Sequence, residues 1–472
     1  MELFTDKTGD EGLPGRERCL AMLAVMTCTT MAVFDGAMVN IALPQIAEVL
    51  HVAAGDAVWV ANGYLLTTAM TLAIFSSLAV RTGFRSLFSV GVILFTLASL
   101  GCALSSSLEM LVAMRLLQGL GGAATLSIAP AILRSIFPNR LLGRILGVNA
   151  LLIATNTAIA PVIGGALLSA LGWPWLFAIN IPLGMVALIM ALRTLPDKRT
   201  VNAGPFDYAG AVWSATMLGA VIMASTAFSH AGSESGQTLI PAGAYGLIAL
   251  TAGLLFVRRQ QRAPHPLLPL TLFSSTRFSL AALTSLASFV SQGMTFVALP
   301  FLFQSVYGYS AFTSALLFTA WPVGIILSAP QAGRLADRHS PALISTVGLG
   351  LFTVGLLLLA LLPDPAQWWD ISLRALVCGL GFGAFQSPNN REMLASASRE
   401  HSSYASGVLA IMRTFGQCLG AALVGVILSL YASSGLHDGQ EHAVRLTLWL
   451  AAAATLLSIV FSLCRLASAK QK

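Results

Sequence analysis

The chain has 472 residues, of which 56% are hydrophobic and only 10% charged, with 26 Lys and Arg against 19 Asp and Glu for a net charge of +7. No soluble domain of this size has such a composition, and no basic soluble module remains beside the apolar runs, which argues against a nucleic-acid partner. Six cysteines, at 19, 28, 102, 378, 418 and 464, lie scattered through apolar runs without metal-ligand or redox spacing, so neither disulfides nor a metal site are predicted.

About 20 apolar residues cross the hydrocarbon core as a helix, and runs of that length recur here with short polar gaps. In chain order they predict fourteen spans, at 19–43, 57–77, 86–105, 108–133, 145–170, 175–195, 208–228, 239–257, 278–304, 311–332, 342–362, 370–390, 404–431 and 443–464. The predicted fold class is therefore an all-α polytopic membrane protein. The first 18 residues are mixed in charge and run into a full-length span without a small-residue cleavage site, which predicts an uncleaved N-terminal tail. Of the 26 Lys and Arg, all but Arg115, Arg374, Arg413 and Arg445 fall in the two tails, in every second connection or, for Arg193, in the last residues of the span leading into one. Basic residues mark cytoplasmic loops, so both termini are predicted to be cytoplasmic.

Asp35 stands in the run Leu20 to Pro44, which carries no other acidic or basic residue. A carboxylate at that depth costs about 2.5 to 3.5 kcal/mol on insertion scales, so it is expected to face a cavity or a partner rather than lipid. Two roles fit it: binding a proton or cation, or tying two helices together. Arg115, which cannot shed its proton, likewise needs acceptors or water in the bundle. A cation beside Asp35 favours the carboxylate while desolvation opposes it, so motion that changes either balance would load or release a proton. The alternative for Arg115 is a clamp on backbone carbonyls.

One weak internal repeat pairs Leu78-Ala79-Val80-Arg81 with Leu335-Ala336-Asp337-Arg338 at an offset of 257 residues. Parallel repeats of two six-helix halves separated by an additional helix pair would place these loops equivalently. The implied organisation is a tail at 1–18, a six-helix bundle at 19–200, the helix pair with its linkers at 201–262, a second bundle at 263–465 and a tail at 466–472.

Several strings carry a family likeness. They are Asp35-Gly36-Ala37-Met38-Val39-Asn40-Ile41-Ala42-Leu43-Pro44; Trp59 with Tyr64; Arg115-Leu116-Leu117-Gln118-Gly119; Pro161, Gly164 and Gly165; and Trp173, Trp175 and Phe177 with Ile179-Asn180-Ile181-Pro182. Together with Phe385-Gln386-Ser387-Pro388-Asn389-Asn390, Ser406-Gly407, Arg413 and Gly416, they resemble the major facilitator superfamily, and within it the fourteen-span drug:proton antiporter branch. The resemblance covers nearly the whole chain. It implies a multidrug-efflux type of transporter that exports hydrophobic or cationic organic compounds by alternating access. The driving force would be protons, with no cofactor and no enzymatic activity. It further implies a monomer in a bacterial-type cytoplasmic membrane, whose partners are the lipid bilayer, protons and a small-molecule substrate. An exporter of one specific metabolite would use the same fold and the same Asp35. A receptor or enzyme is less favoured, since metalloprotease, P-loop and nucleophile-elbow strings are absent.

The resemblance places Asp35 and Arg115 in proton coupling, and Arg81, Pro161, Gly164, Gly165, Gly333, Asp337, Arg338 and Arg413 in gating or shared motifs. Phe34, Asn40, Trp59, Tyr64, Gln118, Phe289, Phe296, Gln386 and Asn389 are candidate substrate contacts. The polar ones could equally join helices, and the aromatic ones could equally pack in a core or face lipid. Three departures stand out: Val80 replaces the family's acidic gating residue, and Ala160 and Asn156 replace glycines of the fifth-span motif.

Overall fold

A computed structural model of the chain describes residues 12–138, 141–196, 204–230, 239–336, 338–363, 366–397, 402–432 and 439–470. Apolar runs immersed in lipid leave the backbone no hydrogen-bond partner but itself, and here they are helical throughout. The helices are α1 Gly15–Val49, α2 Ala54–Ala57, α3 Trp59–Thr82, α4 Phe84–Ala103, α5 Leu108–Leu126, α6 Ala129–Ile136, α7 Leu142–Leu171, α8 Pro174–Ala178, α9 Asn180–Thr194, α10 Tyr208–His230, α11 Ile240–Arg262, α12 Thr276–Phe301, α13 Ala311–Leu335, α14 Pro341–Ala360, α15 Trp368–Ala395, α16 Ser402–Ala432 and α17 Gly439–Lys470.

Local chemistry explains many of the ends. Ser107, Ser275 and Ser310 cap α5, α12 and α13 by accepting from the backbone amides of Met110, Phe278 and Thr313. Gly83 and Gly172 end α3 and α7 at φ of 92° and 89°, a region that favours glycine. Serine and threonine hydroxyls inside the helices bond back to their own turn, as in Ser99 to the Phe95 carbonyl at 2.7 Å, which removes an orphan donor from the apolar interior.

Because α2–α3, α5–α6 and α8–α9 each form one broken segment, the described chain makes fourteen helical segments. Twelve of them are long and apolar enough to cross a membrane. The two predicted spans outside that set are α7, whose described apolar stretch is Thr155–Leu171, and α15. The latter carries Arg374, Arg391, Glu392 and the polar run Gln386 to Asn390. Outward-facing leucine and valine, such as Leu97, Leu104, Leu250 and Val347, cover the periphery.

The packing has an internal two-fold pattern. In the N-terminal half, α1 packs on α7 and α9, α5 packs on α3 and α4, and α4 packs on α9. In the C-terminal half, α12 packs on α16 and α17, α15 packs on α13 and α14, and α14 packs on α17. Each contact in one half has its counterpart in the other. The halves meet chiefly through α3 with α16 and α7 with α13, again a symmetric pair. Helix α10 seats against α3 and α16, and α11 rests mainly on α10.

Candidate functional site

The densest polar cluster lies inside the N-terminal half. Asp35 on α1 forms an ion pair with the Arg115 guanidinium on α5. Its Oδ1 accepts from Gln118 Nε2 at 2.8 Å and from Asn180 Nδ2 at 3.5 Å. Gln118 Nε2 also donates to Ser99 Oγ at 2.9 Å, while its Oε1 accepts from Arg115 Nη1 at 2.6 Å. Arg115 Nε donates to the Val60 carbonyl at 2.7 Å, which ties α5 to α3. The guanidinium also stacks 4.7 Å from the Tyr64 ring and 5.5 Å from the Phe177 ring.

Asp35, Gln118 and Asn180 have no exposed surface and Arg115 has 1%, so water does not screen these bonds. Removing one partner of such a pair strands a buried charge, at a penalty of about 3 to 5 kcal/mol. The sequence expectation that Asp35 faces a partner or a cavity resolves to a partner: the carboxylate joins α1 to α5 and α9.

A second buried network holds the terminal end of the C-terminal half. Arg465 Nη1 donates to Asn389 Oδ1 at 2.7 Å and pairs with Glu392 at 3.2 Å, and its Nη2 donates to Ser462 Oγ at 3.0 Å. Asn389 Nδ2 in turn donates to Ser285 Oγ at 2.8 Å and the Ala281 carbonyl at 3.2 Å, joining α15 to α12. Arg465 has no exposed surface. Predicted to lie just past the last span among the topological charges, it sits inside α17 as a structural cation, because the helix continues beyond the apolar run.

The residues that the family likeness assigns to gating separate by face, as do the bonds between the halves. On the face opposite the termini, Gln304 Nε2 donates to the Ile41 carbonyl at 2.7 Å and Cys418 Sγ to Asn62 Oδ1 at 3.0 Å, both between halves. Gly164 and Gly165 serve two different neighbours. A Cβ on Gly164 would lie 2.7 Å from Met38 Cγ of α1, and one on Gly165 would lie 2.7 Å from Ala315 Cβ of α13. The glycine pair thus lets α7 slot between α1 in its own half and α13 in the other. Pro161 and the fully buried Ala160 lie one turn earlier on α7, where Asn156 Nδ2 donates to Thr30 Oγ1 at 2.8 Å.

On the terminal face, Arg81 donates to the carbonyls of Gly204 at 2.8 Å and Pro205 at 3.1 Å and covers the Phe206 ring, so it holds the linker into α10. Asp207, at the start of that helix, accepts from Arg259 Nε at 2.8 Å, Gln260 Nε2 at 2.8 Å and the Gly210 amide at 3.1 Å. Burial pushes its carboxyl up, but the Arg259, Gly210 and Gln260 hydrogen bonds and the Arg259 charge outweigh that and hold it below its ordinary value. Gly333 comes close to Ser387 of α15, and Arg338 is exposed. Asp337 lies outside the described residues, and so does the side chain of Val80.

The candidate substrate residues do not converge. Gln118 and Tyr64 belong to the Asp35 network and Asn389 to the Arg465 network. Phe289 and Phe296 join Trp321, Phe318, Phe352 and Phe382 in an edge-to-face aromatic core of the C-terminal half. Phe34 packs partly buried against the apolar core, and Trp59 packs where α3 meets α16 and α10. Asn40 and Gln386 are half-buried. The aromatic core could have been foreseen only as one of several alternatives, since spacing along one helix does not show which faces of fourteen converge.

Two helical halves related by pseudo-symmetry, meeting through the symmetric α3–α16 and α7–α13 contacts, form a secondary transporter fold. The chain belongs to the Major Facilitator Superfamily, whose family model matches residues 25–421 and 281–471. It is 41% identical to the uncharacterized transporter YebQ of Escherichia coli (strain K12), over 91% of this chain and 93% of that one. It is 28% identical to the riboflavin transporter RibZ of Clostridioides difficile (strain 630), over 86% and 87%. The tetracenomycin C resistance and export protein of Streptomyces glaucescens is 32% identical, over 89% and 78%. Among solved structures, a POT family transporter crystallised with 5-aminolevulinic acid superposes with a TM-score of 0.70 at 15% identity, over 97% and 98%. That last likeness is one of fold.

Proposed function

We propose that this chain is a proton-coupled antiporter that exports organic molecules across a bacterial cytoplasmic membrane. All fourteen helical segments would cross it, with both termini cytoplasmic. The observation that carries this reading is the Asp35–Arg115 pair, sealed in the N-terminal half and bonded across α1, α3, α5 and α9. Protonating Asp35 removes the charge that faces Arg115 and weakens every bond that the carboxylate accepts. That loosens α1 from α5 and α9. A proton arriving when the outward face opens would thus change the packing of the half that must rock.

The likeness to a resistance and export protein supports export of organic compounds. The 28% identity to a riboflavin transporter supports a second reading, a transporter dedicated to one metabolite. The test uses purified protein in liposomes with a pH gradient. Asp35→Asn is expected to abolish uphill transport while leaving downhill exchange. Uphill transport at the wild-type rate in that variant would overturn the coupling role.

A further inference from the structure

Among the described residues, Arg413 is a cation without a counter-charge in the middle of a helix. It lies eleven residues from the start of α16, is half-buried, and among the described residues has no ion pair and no hydrogen bond. The neighbours of α16 fix which way it faces. Phe415, Cys418 and Ala422 pack on α3 and α10, while Gly416 and Gly420 press on the α12 backbone. Arg413 and Gln417, one turn apart, occupy the sector between α12 and α3, which is the seam between the two halves. Gln417 Nε2 donates to Gln292 Oε1 on α12 at 2.9 Å.

The acids do not offset it. Asp35 is committed to Arg115, Gln118 and Asn180. The other described acids, Glu17, Glu48, Asp56, Glu109, Asp207, Asp370, Glu392 and Glu441, stand at or near helix ends. Among the described residues the seam therefore holds a positive charge beside an amide pair and no acid that would neutralise an organic cation. A guanidinium this deep needs an acceptor, and an entering carboxylate supplies one in bidentate geometry.

We propose that Arg413 reads substrate charge and that the transported molecules are organic anions, carboxylates in particular, rather than the organic cations the family likeness implies. The Gln292–Gln417 pair lies alongside as a second polar contact. The inference rests on the transporter reading, but it concerns binding at equilibrium and needs no gradient.

The experiment measures binding of 2-naphthoate, its neutral isostere 2-naphthamide and the cation 2-naphthylmethylammonium to the full-length protein in detergent. Wild type is expected to bind naphthoate about tenfold more tightly than naphthamide and the ammonium most weakly. Arg413→Gln should bring naphthoate to the level of naphthamide and leave naphthamide within about twofold, which also shows that the variant is folded. Arg413→Lys should keep most of the preference. Equal affinities in wild type, a preference that survives Arg413→Gln, tighter binding of the ammonium, or no binding of any probe would each overturn the proposal. If naphthoate preference holds while proton-driven flux fails in liposomes, the coupling mechanism falls and the charge assignment stands.

Discussion

Gly165 sets how tightly the face opposite the termini closes, and a single methyl group there tests it. In Gly165→Ala the new Cβ would lie 2.7 Å from Ala315 Cβ, 3.0 Å from the Ala311 carbonyl oxygen and 3.1 Å from Phe312 Cα. None of these is the end of a flexible side chain, so α7 and α13 must move apart or the seam must open. Overpacking of this kind costs about 1 to 3 kcal/mol. Because α7 and α13 belong to different halves, that penalty falls on the closed state and spares a state in which the helices part. The open population should rise roughly 5- to 150-fold. The neighbouring Gly164→Ala puts its Cβ 2.7 Å from Met38 Cγ, inside the N-terminal half, so it should lower stability without opening the seam. A cysteine at position 41, buried under Gln304, reports opening on a background lacking the six native cysteines. Its labelling by a membrane-impermeant maleimide should accelerate in Gly165→Ala and not in Gly164→Ala. Equal labelling rates in the two variants, or no acceleration in either, would refute the assignment of Gly165 to the inter-half contact.

Arg465→Ala should lower thermal stability in detergent by about 3 kcal/mol, because it strands Asn389 Oδ1 and Glu392 in the C-terminal half, with Glu392→Gln a milder loss. Asp207→Asn should loosen the α10–α11 hairpin with a defined pH window. The folded carboxyl lies below its ordinary value, so its contribution is present above the unfolded value of about 3.9 and is lost as pH falls through the folded one. The difference in melting temperature between wild type and Asp207→Asn should therefore be flat from pH 5 to 8 and shrink only below about pH 4.

Much of the architecture was written in the chain because lipid permits so little else. Apolar length marked the helical segments, and the Arg81 and Arg338 loops marked the repeat. A lone acid and a lone arginine, Asp35 and Arg115, marked a pair 80 positions apart. The partners of that pair were harder to see. Gln118 and Asn180 stood in recognisable strings, yet nothing along the sequence shows that an amide one turn from Arg115 bridges to Asp35 rather than meeting a substrate. Two arginines that break the loop pattern have a physical reason that the packing completes. Arg374 donates to the Leu358 carbonyl, and Arg445 to the carbonyls of Ala360 and Leu362 at 3.2 and 2.9 Å, so both satisfy the open C-terminal end of α14. Their pairing with Asp370 and Glu441 four residues earlier was a local signal that they belong to helix ends.

The distribution of bond strengths explains how such a molecule can move. The ion pairs among the described residues lie within a half or within the α10–α11 hairpin: Asp35 with Arg115, Asp207 with Arg259, Asp370 with Arg374, Glu392 with Arg465 and Glu441 with Arg445. Between the halves stand a glutamine bonded to a carbonyl, a thiol bonded to an amide, and close backbone contacts at small residues. Neutral hydrogen bonds contribute about 0.5 to 1.5 kcal/mol each, whereas breaking one buried ion pair costs several times that. The polar links between the halves are therefore weaker than those within either, while apolar packing of α3 on α16 and α7 on α13 supplies the rest of the contact. On the proposed transporter reading, the two halves would move as rigid bodies, and a change at Asp35 would reach the seam by moving a whole half.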